Sequence, residues 1–397
     1  MNAQNLENKP VVKRESKNKI RVEFDRTPLM ERLKAKYLSG FFLRNVVLKI
    51  FSLVLMVGIS YIVLNPFLTQ ITGSFMAPED FIDSTVRLIP KHFTWDTYRA
   101  IISELGYFSA FGNTFAVSFI SAILQTFICC LIGYGFAKFK FRGRNLLFGL
   151  VVLTMIIPHQ VIQQSMVFNF REFDILGIVK FLKGGGIEFF GYNLKDAIPA
   201  LGNINVLPDN IQMGEYMTAT GITKYSVDMA ITENGINVLG TYIPFIVLSL
   251  SALAFKNGLY IFLLRQFFRG VPDELEESAY MDGSGVFKTF FRIILPLSIP
   301  MMITVFLFAF CWQWTDSFYT GLFQTGLAAD ERTVYLSSQG FWNEIPASLE
   351  TSYAGTSLYN TAIRNTCALL LICPLVILYI FGQRFLVQGI EQSGLAN

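Results

Sequence analysis

Six apolar stretches, each close to the length that crosses a bilayer, constrain this chain more than any other feature. They run roughly over 46–68, 114–137, 146–168, 242–264, 294–314 and 362–381. About 20 apolar residues span the ~30 Å hydrocarbon core as a helix. Backbone inside lipid must satisfy its own polar groups, so spans of this length are expected to be helical. Composition agrees: 52% of the 397 residues are hydrophobic and 15% are charged, against about 25% charged in soluble domains. The expected class is an all-α polytopic membrane protein with six transmembrane helices.

Lys and Arg in the short loops set the orientation. Lys138, Lys140, Arg142 and Arg144 follow the second span. Arg265, Arg269, Lys288 and Arg292 follow the fourth, and Arg384 follows the sixth. The opposite side carries Glu79, Asp80, Asp83, Asp96 and Glu104 against Arg87, Lys91 and Arg99. Both termini are therefore expected in the cytoplasm, with the chain multi-pass in the cell (plasma) membrane.

That orientation divides the chain. Residues 1–42 read as a basic cytoplasmic tail, in which 30–38 has the pattern of an amphipathic helix on the inner leaflet. The first helix takes 43–69, an extracellular loop 70–112, and the second and third helices 113–171. An extracellular insertion, part strand and part helix, is expected at 172–240, since a loop that long without structure is unusual. The last three helices occupy 241–390, with a polar loop at 270–296.

Several function classes drop out. The five cysteines lie in or beside apolar runs and read as packing residues. With two histidines and no His-Glu-x-x-His, no metal site is expected, and the absence of a Walker loop leaves no cofactor or ATP site of the usual kind. The basic tail holds only Phe24 and Tyr37 as aromatics, neither interleaved with its cations, so no nucleic-acid partner is expected. No catalytic residue is assigned, and the chain is not expected to be an enzyme.

The loop at 270–296 is the most distinctive. It reads Pro272-Asp273-Glu274-Leu275-Glu276-Glu277-Ser278-Ala279-Tyr280-Met281-Asp282-Gly283, and then Ile293-Ile294-Leu295-Pro296. Proline suits a first helical position, carboxylates favour the positive end of the helix dipole, and glycine suits the residue past the end. Leu275 and Ala279 share a face. Ser278, Ala279 and Gly283 are small enough for close approach, and Glu277 can meet an arginine across an interface. A charged helix between two spans looks like a docking element for a soluble partner.

Glu277-Ser278-Ala279, Gly283, Ile293, Leu295 and Pro296 resemble, at full spacing, the EAA loop of ATP-binding cassette (ABC) importer permeases, with Ser278 in place of the first alanine. The surroundings resemble the carbohydrate branch, the maltose-permease-like second subunits. They include Tyr134-Gly135-Phe136-Ala137-Lys138, Met155-Ile156-Ile157-Pro158, Trp314-Thr315-Asp316 and Gln383-Arg384-Phe385-Leu386. The resemblance covers most of 43–392 and implies the type I ABC importer permease fold. It implies as partners an ATP-binding subunit dimer that hydrolyses ATP, a second permease subunit, an extracytoplasmic solute-binding protein, a sugar substrate and the lipid bilayer. Glu276, Glu277, Ser278, Ala279, Asp282, Gly283, Leu295 and Pro296 would carry the coupling to the ATPase.

Pathway candidates are weaker. Lys256 lies within the fourth span, where a charge costs roughly 2.5–3.5 kcal/mol on insertion scales. It reads either as a pathway or interface charge or, the reading the residues favour, as a lysine reaching a wet vestibule. His159 follows Pro158 and reads as pathway-lining or as a hydrogen-bonded helix residue. Trp312 and Trp314 read as sugar-stacking or as interface-belt residues. Two alternatives stay open: an importer permease for a peptide, amino acid or polyamine, and a stand-alone polytopic transporter or membrane enzyme. The second would need membrane-embedded ionisable groups, and Lys49 and Lys256 are nearly all the spans contain.

Overall fold

All six apolar stretches are largely helical, yet only three of them fold as unbroken helices. The computed structural model describes residues 13–14, 20–21, 40–174, 188–189, 192–193, 210–217, 224–230, 235–254, 256–324, 335–338, 341, 343–350 and 356–394. The amphipathic segment at 30–38 lies outside them, as does most of 172–240. The chain divides into two compact units, Met1–Thr69 and Gln70–Asn397.

Helix α1 is Gly40–Gly73, apolar all round as a lipid-facing span should be. Helix α2 is Asp96–Glu104, α3 is Tyr107–Lys138, and α12 is Thr356–Gly394. Stretches within α1, α3 and α12 are long and apolar enough to cross a membrane as single helices.

The other three are broken. α4, Arg144–Ile156, stops where Pro158 cannot continue it, and α5, Gln163–Arg171, follows a 3-10 turn at His159–Ile162. The bend between the two halves is 95°. α6, Ile243–Leu250, and α7, Asn257–Gly270, are separated by a break in which Ala252 and Lys256 take φ of 58° and 68°. The expected continuous fourth span is therefore two short helices. Left-handed backbone at residues with a side chain costs about 1–3 kcal/mol each and is found where the surroundings hold it for a purpose. Next come α8, Glu274–Met281, and α9, Val286–Thr289. α9 continues through a π turn at Phe290–Ile294 and a short turn at Leu295–Leu297, then bends by 73° into α10, Ile299–Trp314. Pro296 and Pro300 remove two N–H donors at this bend. α11 is Phe318–Leu322.

α3 is the central element. It packs along α7 and α10 and touches α6, while α12 covers α10. Small residues allow the close approach that membrane helices use. A Cβ on Gly133 would stand 2.9 Å from Leu264 Cβ and 3.1 Å from the Arg265 nitrogen. Cys129, Cys130 and Cys367 are buried free thiols in this core.

The described residues also hold three two-stranded antiparallel pairs, so the chain is not wholly helical. β1, Lys13–Arg14, pairs with β2, Ile20–Arg21; β3, Glu188–Phe189, pairs with β4, Tyr192–Asn193. The longest pair is the hairpin of β5, Asn210–Met217, and β6, Lys224–Ala230, inside the 172–240 insertion.

Candidate functional site

The polar loop ends as its glycine predicts, but it opens later than expected: Asp273 is the N-cap of α8, so Pro272 precedes the helix instead of taking its first position. α8 ends in a Schellman motif: the Ser284 N–H donates to the Ala279 carbonyl at 2.9 Å and the Gly283 N–H to the Tyr280 carbonyl at 3.0 Å. Gly283 sits at φ +77°, where any side chain is strained, although a Cβ there would meet no atom within 4 Å. Leu295 and Pro296 lie beyond the π turn, leading into the bend before α10.

Two faces separate on α8. Glu276 and Ala279 are buried against the protein's own core. Glu274, Glu277, Ser278 and Asp282 are exposed. So are Leu275, Tyr280, Met281 and, past the helix, Val286 and Phe287; Met281 is 88% and Phe287 81% exposed. Apolar side chains bared to this degree beside carboxylates form a small surface suited to a partner. The candidates thus fall into two groups: Glu277, Ser278, Asp282 and Gly283 face outward, while Glu276 and Ala279 anchor the helix from within.

The anchor is Lys138, the last residue of α3. Its Nζ donates to the Val271 carbonyl at 2.6 Å and to Asp273 Oδ1 at 2.5 Å, and lies 3.8 Å from Glu276 Oε1. The Lys138 side chain is 7% exposed. Burial raises the Glu276 carboxyl above its ordinary value, with the Lys138 charge opposing the rise. The hydrogen bond from Lys138 holds the exposed Asp273 carboxyl below its ordinary value. Tyr134, one turn earlier, packs against Phe290 and Phe268 with ring centroids at 4.7 and 5.5 Å.

A second feature sits where α4–α5 and α6–α7 break. A cavity of about 470 Å³ lies between them, lined by Met155–Gln160 and by residues from Ala252 to Leu259. His159 and Lys256 both line it. His159 Nδ1 is 2.6 Å from the Tyr319 hydroxyl, and Lys256 Nζ stands 4.9 Å from the Trp312 ring centre. Trp314 is elsewhere. It is fully buried in the core, its Nε1 donating to the Leu371 carbonyl at 2.9 Å, with Phe310 and Phe111 against the ring. Its apolar volume and single donor are both satisfied there, and it is not among the residues that line this cavity.

Asp316, two residues on, caps α11. Its carboxylate accepts from the Tyr319 N–H at 3.2 Å and the Thr320 N–H at 3.1 Å. Burial outweighs these bonds and pushes the carboxyl up to about 6. A raised carboxyl contributes stability that is full below the unfolded value of about 3.9 and is lost as pH rises through about 6. Amide exchange at Tyr319 and Thr320, corrected for its intrinsic pH dependence, should therefore quicken between about pH 4 and 6. Asp316→Asn should remove that extra dependence. Unchanged protection across the range would contradict the assignment.

Comparison with known proteins adds a family. Residues 129–392 match the family described as binding-protein-dependent transport system inner membrane component. The alpha-glucoside transport system permease protein AglG of Rhizobium meliloti (strain 1021) is 25% identical over 76% of this chain and 60% of its own length. The arabinooligosaccharides transport system permease protein AraQ of Halalkalibacterium halodurans is 23% identical over 85% of this chain and 92% of its own. A chain of a bacterial ABC transporter involved in the import of the acidic polysaccharide alginate shares the fold. Its TM-score is 0.55 at 15% identity, covering 86% of this chain and 97% of that one.

Proposed function

The chain belongs to the family of binding-protein-dependent transport system inner membrane components, and on that premise we propose that it is the permease of a sugar or oligosaccharide importer, working with a second permease and coupled through α8 to a cytoplasmic ATP-binding dimer. One observation carries the coupling: α8 presents Glu277, Met281 and Phe287 outward while Glu276 and Ala279 fix it from within. ATP hydrolysis belongs to the dimer. An extracytoplasmic binding protein delivers cargo to the opposite face. Both termini lie in the cytoplasm, the hairpin of β5 and β6 lies outside, and the broken α4–α5, α6–α7 and α9–α10 segments complete six spans. The names of AglG and AraQ support a saccharide over a peptide, amino acid or polyamine.

The cavity at the breaks belongs to the path, with Lys256 and His159 on its wall. Broken helices tolerate non-helical backbone at membrane depth only where it is buried in protein or lines a cavity. Cells with and without this chain should be offered labelled maltotriose, arabinotriose, trigalacturonate, a tripeptide and spermidine. Saccharide uptake that requires the chain is expected, and Lys256→Met should raise its KM several-fold with expression unchanged. Chain-dependent uptake of the tripeptide or spermidine alone would reject the saccharide reading. Parental KM in Lys256→Met would remove Lys256 from the path.

A further inference from the structure

Lys138 joins α3 to the junction of two helices far along the chain. It is the C-terminal residue of α3; Val271 caps the end of α7; Asp273 precedes α8. One ammonium has three donors, and here it holds the Val271 carbonyl and the Asp273 carboxylate, with Glu276 close by. A cation at a helix C-terminus is also favoured by the dipole. Burying an ammonium to 7% exposure is costly unless it is paired, so these elements gain little by separating.

At its other end, α3 meets the opposite face. The Asn113 side chain accepts from the Tyr242 hydroxyl at 3.0 Å, and Thr114 Oγ1 accepts from the Leu336 N–H at 2.9 Å. Thirty-two helical residues reach about 48 Å, enough to cross the bilayer. Midway, Gln125 Nε2 reaches Ser249 Oγ on α6 at 3.4 Å, and Cys129 Sγ reaches the Asn257 carbonyl at 3.8 Å, on either side of the break that walls the cavity.

We infer that Lys138 is a positioning residue that makes α3 the rod of the importer: a pull on α8 moves α3 as one piece, and α3 carries it to the break at Ala252–Lys256 and to the contacts of Asn113 and Thr114. The inference rests on the reading of α8 as the ATPase dock. α8 is also joined covalently to α7 and, through α9, to α10, and both of these pack along α3; Lys138 adds a direct tie between the start of α8 and the end of α3.

The test uses the complete complex, both permeases with the ATP-binding dimer, in nanodiscs, with the native cysteines replaced. Spin labels at Phe108 and Ile89, both exposed, report the far end of α3 with magnesium–ATP plus vanadate and without nucleotide. The parental pair should change distance between the two states. In Lys138→Met the change should fall below half, with the ATP-binding subunits still bound, while Lys138→Arg keeps it. Asp273→Asn, at an exposed residue, should reduce the change as well and serves if Lys138→Met accumulates poorly. A parental change in Lys138→Met, no change in the parental complex, or release of the ATP-binding subunits by Lys138→Met each overturns the inference. Retention of those subunits by Glu277→Lys would instead overturn the docking role of α8, so the two failures are separable.

Discussion

Glu277→Lys should abolish uptake and release the ATP-binding subunits while the permease still inserts. Glu277 is exposed on the outward face of α8, beside Met281 and Phe287. The inward side chains, Glu276 and Ala279, stay as they are, so the helix itself has no reason to unfold. Reversing an interfacial charge that meets a basic partner removes a charge-assisted pair and adds repulsion, a cost of several kcal/mol. That corresponds to a loss of binding of about a hundredfold or more. Gly283→Asp should act in the same direction through the backbone. Its φ of +77° costs a side chain about 1 kcal/mol, while no neighbouring atom stands within 4 Å to clash. The Schellman end would loosen and re-aim Phe287. Parental uptake in both variants would show that α8 is not the dock.

Gly133→Leu should prevent a stable complex from accumulating. Even the first carbon of a side chain would meet Leu264 Cβ at 2.9 Å and the Arg265 nitrogen at 3.1 Å. One of those neighbours is backbone and cannot rotate away. Overpacking costs about 1–3 kcal/mol in a close-packed core, and α3 against α7 is the most extensive helix pairing among the described residues. Gly133→Ala should give an intermediate loss. The measurement is the yield of monodisperse complex in detergent and its Tm. A parental Tm for Gly133→Leu would mean that α3 and α7 are not packed as described.

Much of this was legible in the residues. Long apolar runs identified α1, α3 and α12, because a span needs little more than length and hydropathy. The C-terminal end of α8 followed from Gly283, whose backbone preference is local, whereas Pro272 stands just before the helix and not at its first position. The breaks were harder. Pro158 announced one of them, but the interruption between Leu250 and Asn257 contains neither Gly nor Pro. Ala252 and Lys256 are held left-handed by tertiary packing, which a hydropathy window averages away. Lys256 inside an apolar run was the one available signal. Lys138 as the anchor of α8 was not readable, since its partner Asp273 lies 135 residues away. Trp314 shows the reverse case: an aromatic that suits sugar stacking equally suits a core, and only its bond to Leu371 decides.

The central claim is that this permease is coupled to its motor through α8, and co-purification tests it most directly. The chain should be tagged, expressed with its partner subunits, extracted in mild detergent and purified in parental and Glu277→Lys forms. The parental chain should bring down the second permease and the ATP-binding subunits. The Glu277→Lys chain should bring down the second permease alone, with the ATP-binding subunits left in the cytosolic fraction. Equal recovery of the ATP-binding subunits with both forms, or their absence from the parental complex, would contradict the account.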